Sequence, residues 1–181
     1  MSQSHDAFVH ARLTTWQRRL KDTAAGLVPP QTGSAQAAFV PVLDQLVAVY
    51  NLASGLVADL RQSADSSLAT TAPGRAYLAQ LATALAHSNR AATHLSTAVF
   101  GLADAHRLTP RPGTAAPVES ELSITLGHAA ALRSLQRALE AVPSAPPDAH
   151  PGSAPSPMPT VSEQHRRAAD TGSVHPVRRR P

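Results

Sequence analysis

The chain has no cysteine in its 181 residues. Disulfides, thiolate nucleophiles and cysteine-ligated zinc or iron–sulfur centres are therefore excluded, and the absence fits a reducing compartment. Lys21 is its one lysine, so nearly all positive charge is arginine. Aromatic residues make up only 3%. Any core must then be built from Leu, Val and Ala, with short side chains and close backbone approach. The sequence has no Gly-rich phosphate loop, no Gly-x-Ser-x-Gly, no His-Glu-x-x-His and no Glu-x-x-His pair. Phosphate cradling, serine hydrolysis and the familiar helical metal sites thus lack their sequence marks. The opening residues, MSQSHDAFVHARLTTWQRRLK, lack the apolar centre of a secretory signal. The longest uncharged apolar stretch, residues 45–58, is shorter than the ~20 residues that cross a bilayer. A cytoplasmic location and no membrane span are the expectations.

What is present favours helix. Hydrophobic residues make up 43% and charged residues 15%, with Ala and Leu, both strong helix formers, prominent. Net charge is +4. Abundant Ala, Pro, Gly and Arg beside a single Lys point to a GC-rich bacterial genome of the actinobacterial kind. Arginine content of that origin weakens the charge as a sign of phosphate binding.

Four segments carry helical periodicity. The first, about 4–26, has Val9, Leu13, Trp16, Leu20 and Leu27 on one face, with Ser4 as cap and Gly26 at its end. The second, about 35–63, places Phe39, Leu43, Leu46, Tyr50, Ala53, Val57 and Leu60 at alternating spacings of four and three. Val42, Val49 and Leu56 widen that stripe, which predicts the most buried helix of the set. Pro41 should either follow the start of this helix or kink it. The third, about 73–108, is capped by Thr71 and carries Leu78, Leu81, Leu85, Ser88, Ala92, Leu95, Val99 and Leu102. The fourth, about 117–142, carries Leu122, Leu126, Ala129, Leu132, Leu135, Leu139 and Val142.

Beyond Val142 the composition changes. Nine of the 16 prolines lie in 143–181 and large apolar residues nearly vanish. Such a segment cannot bury enough surface to offset its ordering entropy, so it is expected to be a disordered tail rich in Pro and Arg. The expected fold is all-α: an antiparallel four-helix bundle over residues 1–142, with Leu43, Leu46, Leu81, Leu95 and Leu132 in its core, followed by the tail at 143–181.

Candidate sites are few. His87 and His94 lie seven residues apart on one side of the third helix, and His106 points elsewhere. In a hairpin turning at residues 109–116, His94 reaches the level of His128, with Glu121 one heptad earlier. These four could in principle form a zinc or iron set, but two turns separate His87 from His94 and Glu121 from His128, about 10 Å along the axis. No metal, cofactor or catalytic residue is expected. The run Ala84, His87, Ala91, His94, Ala98, Gly101 reads as a small-residue packing groove, and Gly55, Gly101 and Gly127 inside helices read as points of close helix approach. Trp16 reads as a core anchor.

Two basic clusters remain: Arg12, Arg18, Arg19 and Lys21 on the first helix, and Arg178, Arg179 and Arg180 at the end of the tail. They allow weak, salt-sensitive contact with nucleic acid, without a recognition helix or stacking aromatics to read sequence. The leading functional expectation is a non-enzymatic helical interaction or accessory protein with a protein partner, itself or another. The alternatives are a weak DNA-associated accessory protein and a metal-dependent enzyme centred on His94 and His128.

Overall fold

A computed structural model describes residues 2–30, 35–108 and 118–142. Among them the chain is all-helical: α1 (Ser2–Ala25), α2 (Ala35–Ala64), a 3-10 turn (Ser67–Thr70), α3 (Ala72–Leu108) and α4 (Val118–Glu140). The described residues fall within one unit, Met1–Ala145. The expected tail at 143–181, including Arg178, Arg179 and Arg180, and the expected hairpin loop at 109–116 lie outside the described residues.

Local chemistry sets the joints. α2 runs through Pro41, so the proline neither delays nor ends the helix. After α2, the Ser66 hydroxyl accepts from the Leu68 N–H and closes the 3-10 turn. Thr71 caps α3 as expected, its hydroxyl accepting the Gly74 N–H at 3.1 Å.

The helices pack antiparallel. Along α1 and α2 the facing residues run in opposite order: Arg12 meets Asp59, Trp16 meets Gly55, and Val28 meets Gln45. Along α3 and α4, Gly127 faces His94 and Ala98, and Gly101 faces Ser120 and Ile124. The glycines are points of close approach, as the sequence predicts. A Cβ at Gly127 would stand 2.7 Å from the His94 carbonyl oxygen, and one at Gly55 3.0 Å from the Trp16 ring. Gly101 and Gly127 share the α3–α4 interface, at levels about a heptad apart.

The core is aliphatic. Val9, Trp16, Leu20 and Leu27 supply it from α1 and the turn after it, and Leu81, Ala84, Ala91, Leu95, Ala98 and Leu102 from α3. Of the five residues expected to anchor it, Leu81 and Leu95 are fully buried. Leu46 and Leu132 are half-buried and pack against it from the flanks. Leu43 is half-buried outside that cluster, because α2 presents Val42, Val49, Leu52 and Leu56 inward instead.

Two expectations need correction. α2 is not the most buried helix; α3 occupies the centre, packing on α1, α2, α4 and the 3-10 turn. On α4 the buried face is Ile124, Gly127, His128, Ala131, Leu135 and Ala138, continued past its end by Val142, whereas Leu122 and Leu126 are exposed. Close approach explains the second shift: Gly127, Ala131 and Ala138 let backbones meet, which a leucine face would hold apart.

Candidate functional site

The most developed polar arrangement is centred on Asp59, which lies on the inward face of α2 in phase with Leu52, Leu56 and Ser63. Its carboxylate accepts four donors from three helices. The Trp16 indole N–H comes from α1, the Tyr77 hydroxyl from α3 at 2.8 Å, the Arg12 guanidinium from α1 at 2.7 Å, and the Ser63 hydroxyl from α2 itself at 3.1 Å. Burial alone pushes the Asp59 carboxyl upward, but the bonds from Trp16, Tyr77 and Arg12 outweigh it and hold the group below the ordinary carboxylate value. Tyr77 is pushed up to about 12, first by burial and then by its bond to Asp59. The proton therefore stays on the phenol and the charge on the carboxylate. Such a site ties helices together: each acceptor lone pair is already committed to the protein.

Asp59 is a residue the periodicity reading passed over. Its signal was present: a lone acid at the inward phase of an apolar helix, in a chain with one Trp and a tyrosine needing polar partners.

The α1 basic cluster is accordingly not a free patch. Arg12 is ion-paired to Asp59 and also lies over the Phe8 ring, and Arg19 stacks 5.1 Å from the centre of Trp16. Arg18 and Lys21 stand exposed. Arg12 and Arg19, two of the four α1 residues expected as nucleic-acid contacts, thus also have intramolecular partners.

The histidines do not converge. His128 is buried on α4 and faces α2, its Nε2 3.2 Å from Gln45 Oε1, while Gln45 Nε2 donates to the Val28 carbonyl at 2.8 Å. Burial lowers the His128 pKa, partly countered by a hydrogen bond with the Val28 backbone. His94 does reach the level of this turn of α4, its carbonyl oxygen against Gly127. His87 is half-buried, its Nδ1 enclosed without a hydrogen-bond partner. Among the described residues no three His, Asp or Glu side chains group as a metal site.

The outer face of α2 is the other notable feature. Val40, Val47, Tyr50 and Val57 are 51–61% exposed, spaced seven, three and seven residues apart, with half-buried Leu43 completing the row. Beside it, between α1 and α2, an open groove of about 350 Å³ is lined by Arg19, Asp22, Thr23, Ala48, Asn51 and Leu52. So α2 carries two apolar faces, one inside the bundle and one outside. Within Ala37–Ala64, α2 holds an 18-residue stretch of mean hydropathy 1.4, long and apolar enough by composition alone to cross a membrane, and 28% of that stretch is buried in the bundle. Compared with family models, curated proteins and solved structures, the chain matches none.

Proposed function

We propose that the chain is a non-enzymatic helical interaction protein of a bacterial cytoplasm, which engages protein through the outer face of α2. The observation that carries this reading is the exposed row Val40, Val47, Tyr50 and Val57. Single exposed apolar residues are ordinary, but a row aligned over five helical turns is what a partner helix covers. The buried polar groups favour the same reading: Asp59 and His128 spend their bonding capacity inside the bundle.

The test uses the full-length protein as bait in a lysate of its source organism, beside a Val47→Asp, Val57→Asp double variant. Both positions are more than half exposed, so the variant should keep the helical circular dichroism of the wild type, which is checked alongside. Proteins retained by the wild type and lost from the variant support the reading. Identical retention by both refutes it.

A further inference from the structure

We infer that the outer face of α2 binds a second copy of this chain, with the two α2 helices antiparallel. The inference rests on the interaction reading above and adds the partner's identity and orientation. The exposed row is a heptad seam. Val40, Val47, Ser54 and Arg61 share one heptad position, and Leu43, Tyr50 and Val57 share the adjoining one. Asp44, Asn51 and Ala58 run along one flank, all exposed.

Charge decides the orientation. Asp44 and Arg61, both exposed, stand near opposite ends of the seam. A parallel pair would set Asp44 beside Asp44 and Arg61 beside Arg61, which is repulsive at both ends. An antiparallel pair with its two-fold at the level of Leu52 brings Arg61 of each copy beside Asp44 of the other. The two Asp44 side chains then stand about 24 Å apart along the axis, beyond the ~8 Å screening length of physiological salt. Sterics agree with this register. Val47 meets Val57 of the second copy, and Tyr50 meets Ser54, a large side chain over a small one. The interface is isologous and closes at two copies.

Size sets the strength. From Val40 to Arg61 the seam is about 32 Å long, one helix wide, at the low end of specific interfaces. The dimer is therefore transient, with dissociation in the micromolar range or weaker.

Sedimentation velocity of the full chain, from low micromolar to several hundred micromolar, tests this. The expected result is concentration-dependent dimer. Tyr50→Glu should raise the dissociation constant about tenfold or more. Asp44→Arg and Arg61→Asp should each weaken association, and the two combined should restore it. Orientation is read by cross-linking, which the lack of native cysteine makes clean: in a Val47→Cys, Val57→Cys variant the intermolecular disulfide should join 47 to 57. Disulfides joining 47 to 47 and 57 to 57 would overturn the antiparallel register. A chain monomeric at every concentration would overturn self-association. If the Val47→Asp, Val57→Asp variant then still loses proteins from the lysate, the interaction reading stands and only the second copy fails. Monomers whose α2 face instead binds vesicles of phosphatidylcholine and phosphatidylglycerol would overturn both.

Discussion

Removing the Asp59 carboxylate should be among the most damaging single changes in the bundle. Asp59→Ala leaves the Trp16 indole N–H and the Tyr77 hydroxyl enclosed with no acceptor, and strips Arg12 of its counter-charge. An orphaned buried donor costs about 1–3 kcal/mol. Arg12 contributes less, because its side chain is 36% exposed and can turn to water, which leaves it near the ~1 kcal/mol scale of a surface pair. Two orphaned donors and a small cavity place the total at about 3–5 kcal/mol, in line with the cost of breaking other buried pairs. Against a domain stability of about 5–15 kcal/mol, that is a large share. Tyr77→Phe removes one bond to a charged acceptor and should cost about 1.5–3 kcal/mol, and Arg12→Gln about 1. Urea unfolding is the assay, followed by Trp16 fluorescence, since this single tryptophan sits at the network itself. The order expected is Asp59→Ala, then Tyr77→Phe, then Arg12→Gln. A loss under about 1 kcal/mol for Asp59→Ala would show that the donors find other partners, and would refute the network as the tie between α1, α2 and α3.

Three further outcomes can be checked. Because burial lowers the His128 pKa, the unfolded chain binds more protons than the native one below about pH 6.5. The stability that neutral His128 supports is therefore complete above that pH and lost as pH falls beneath it. Thermal melts of wild type and His128→Gln at pH 7.5 and 5 should show the smaller acid loss in the variant, and equal losses would contradict the assignment. Gly127→Ala should destabilise by about 1–3 kcal/mol, although alanine gains roughly 1 kcal/mol of helix propensity, because its Cβ would press on the His94 backbone. A stabilised variant in urea titration would mean that α3 and α4 separate easily. Elemental analysis of untagged protein should find far less than one zinc or iron per chain, whereas near-stoichiometric metal lost on His94→Ala or His128→Ala would reverse the non-enzymatic reading.

Much of the architecture was legible because helix limits are local. Apolar spacing, the Thr71 cap and the run of prolines after Val142 each act over a few residues, and α2 and α3 fall within a residue or so of their expected bounds. The inward phase of α1 was legible too: Val9, Trp16 and Leu20 are buried, Leu13 packs against the core beside them, and Leu27 continues the face past the helix end. The role of Asp59 was not: the sequence shows an acid at an inward phase, but the partners that explain it, Trp16, Tyr77 and Arg12, arrive from other helices. No spacing along α2 encodes that meeting.

The two misjudged phases share a cause. Periodicity ranks residues by hydrophobicity and so draws the buried face through the leucines. In a chain this poor in aromatics, the contact between α3 and α4 is won by closeness instead. Ala98 meets Gly127 and Gly101 meets Ser120, and on α4 Leu132 and Leu139 stand at the flank of the core while Leu122 and Leu126 stand in solvent. On α2 the same ranking merges two faces into one broad stripe. Val42, Val49 and Leu56 turn inward, while Val40, Val47, Tyr50 and Val57 turn out, with Asp59 and the Trp16 contact at Gly55 fixing the rotation between them. A helix apolar on both sides is expected where both sides are covered. The bundle covers one. The heptad phase of the other, and the opposed charges of Asp44 and Arg61 at its ends, are what make a second α2 a fitting cover.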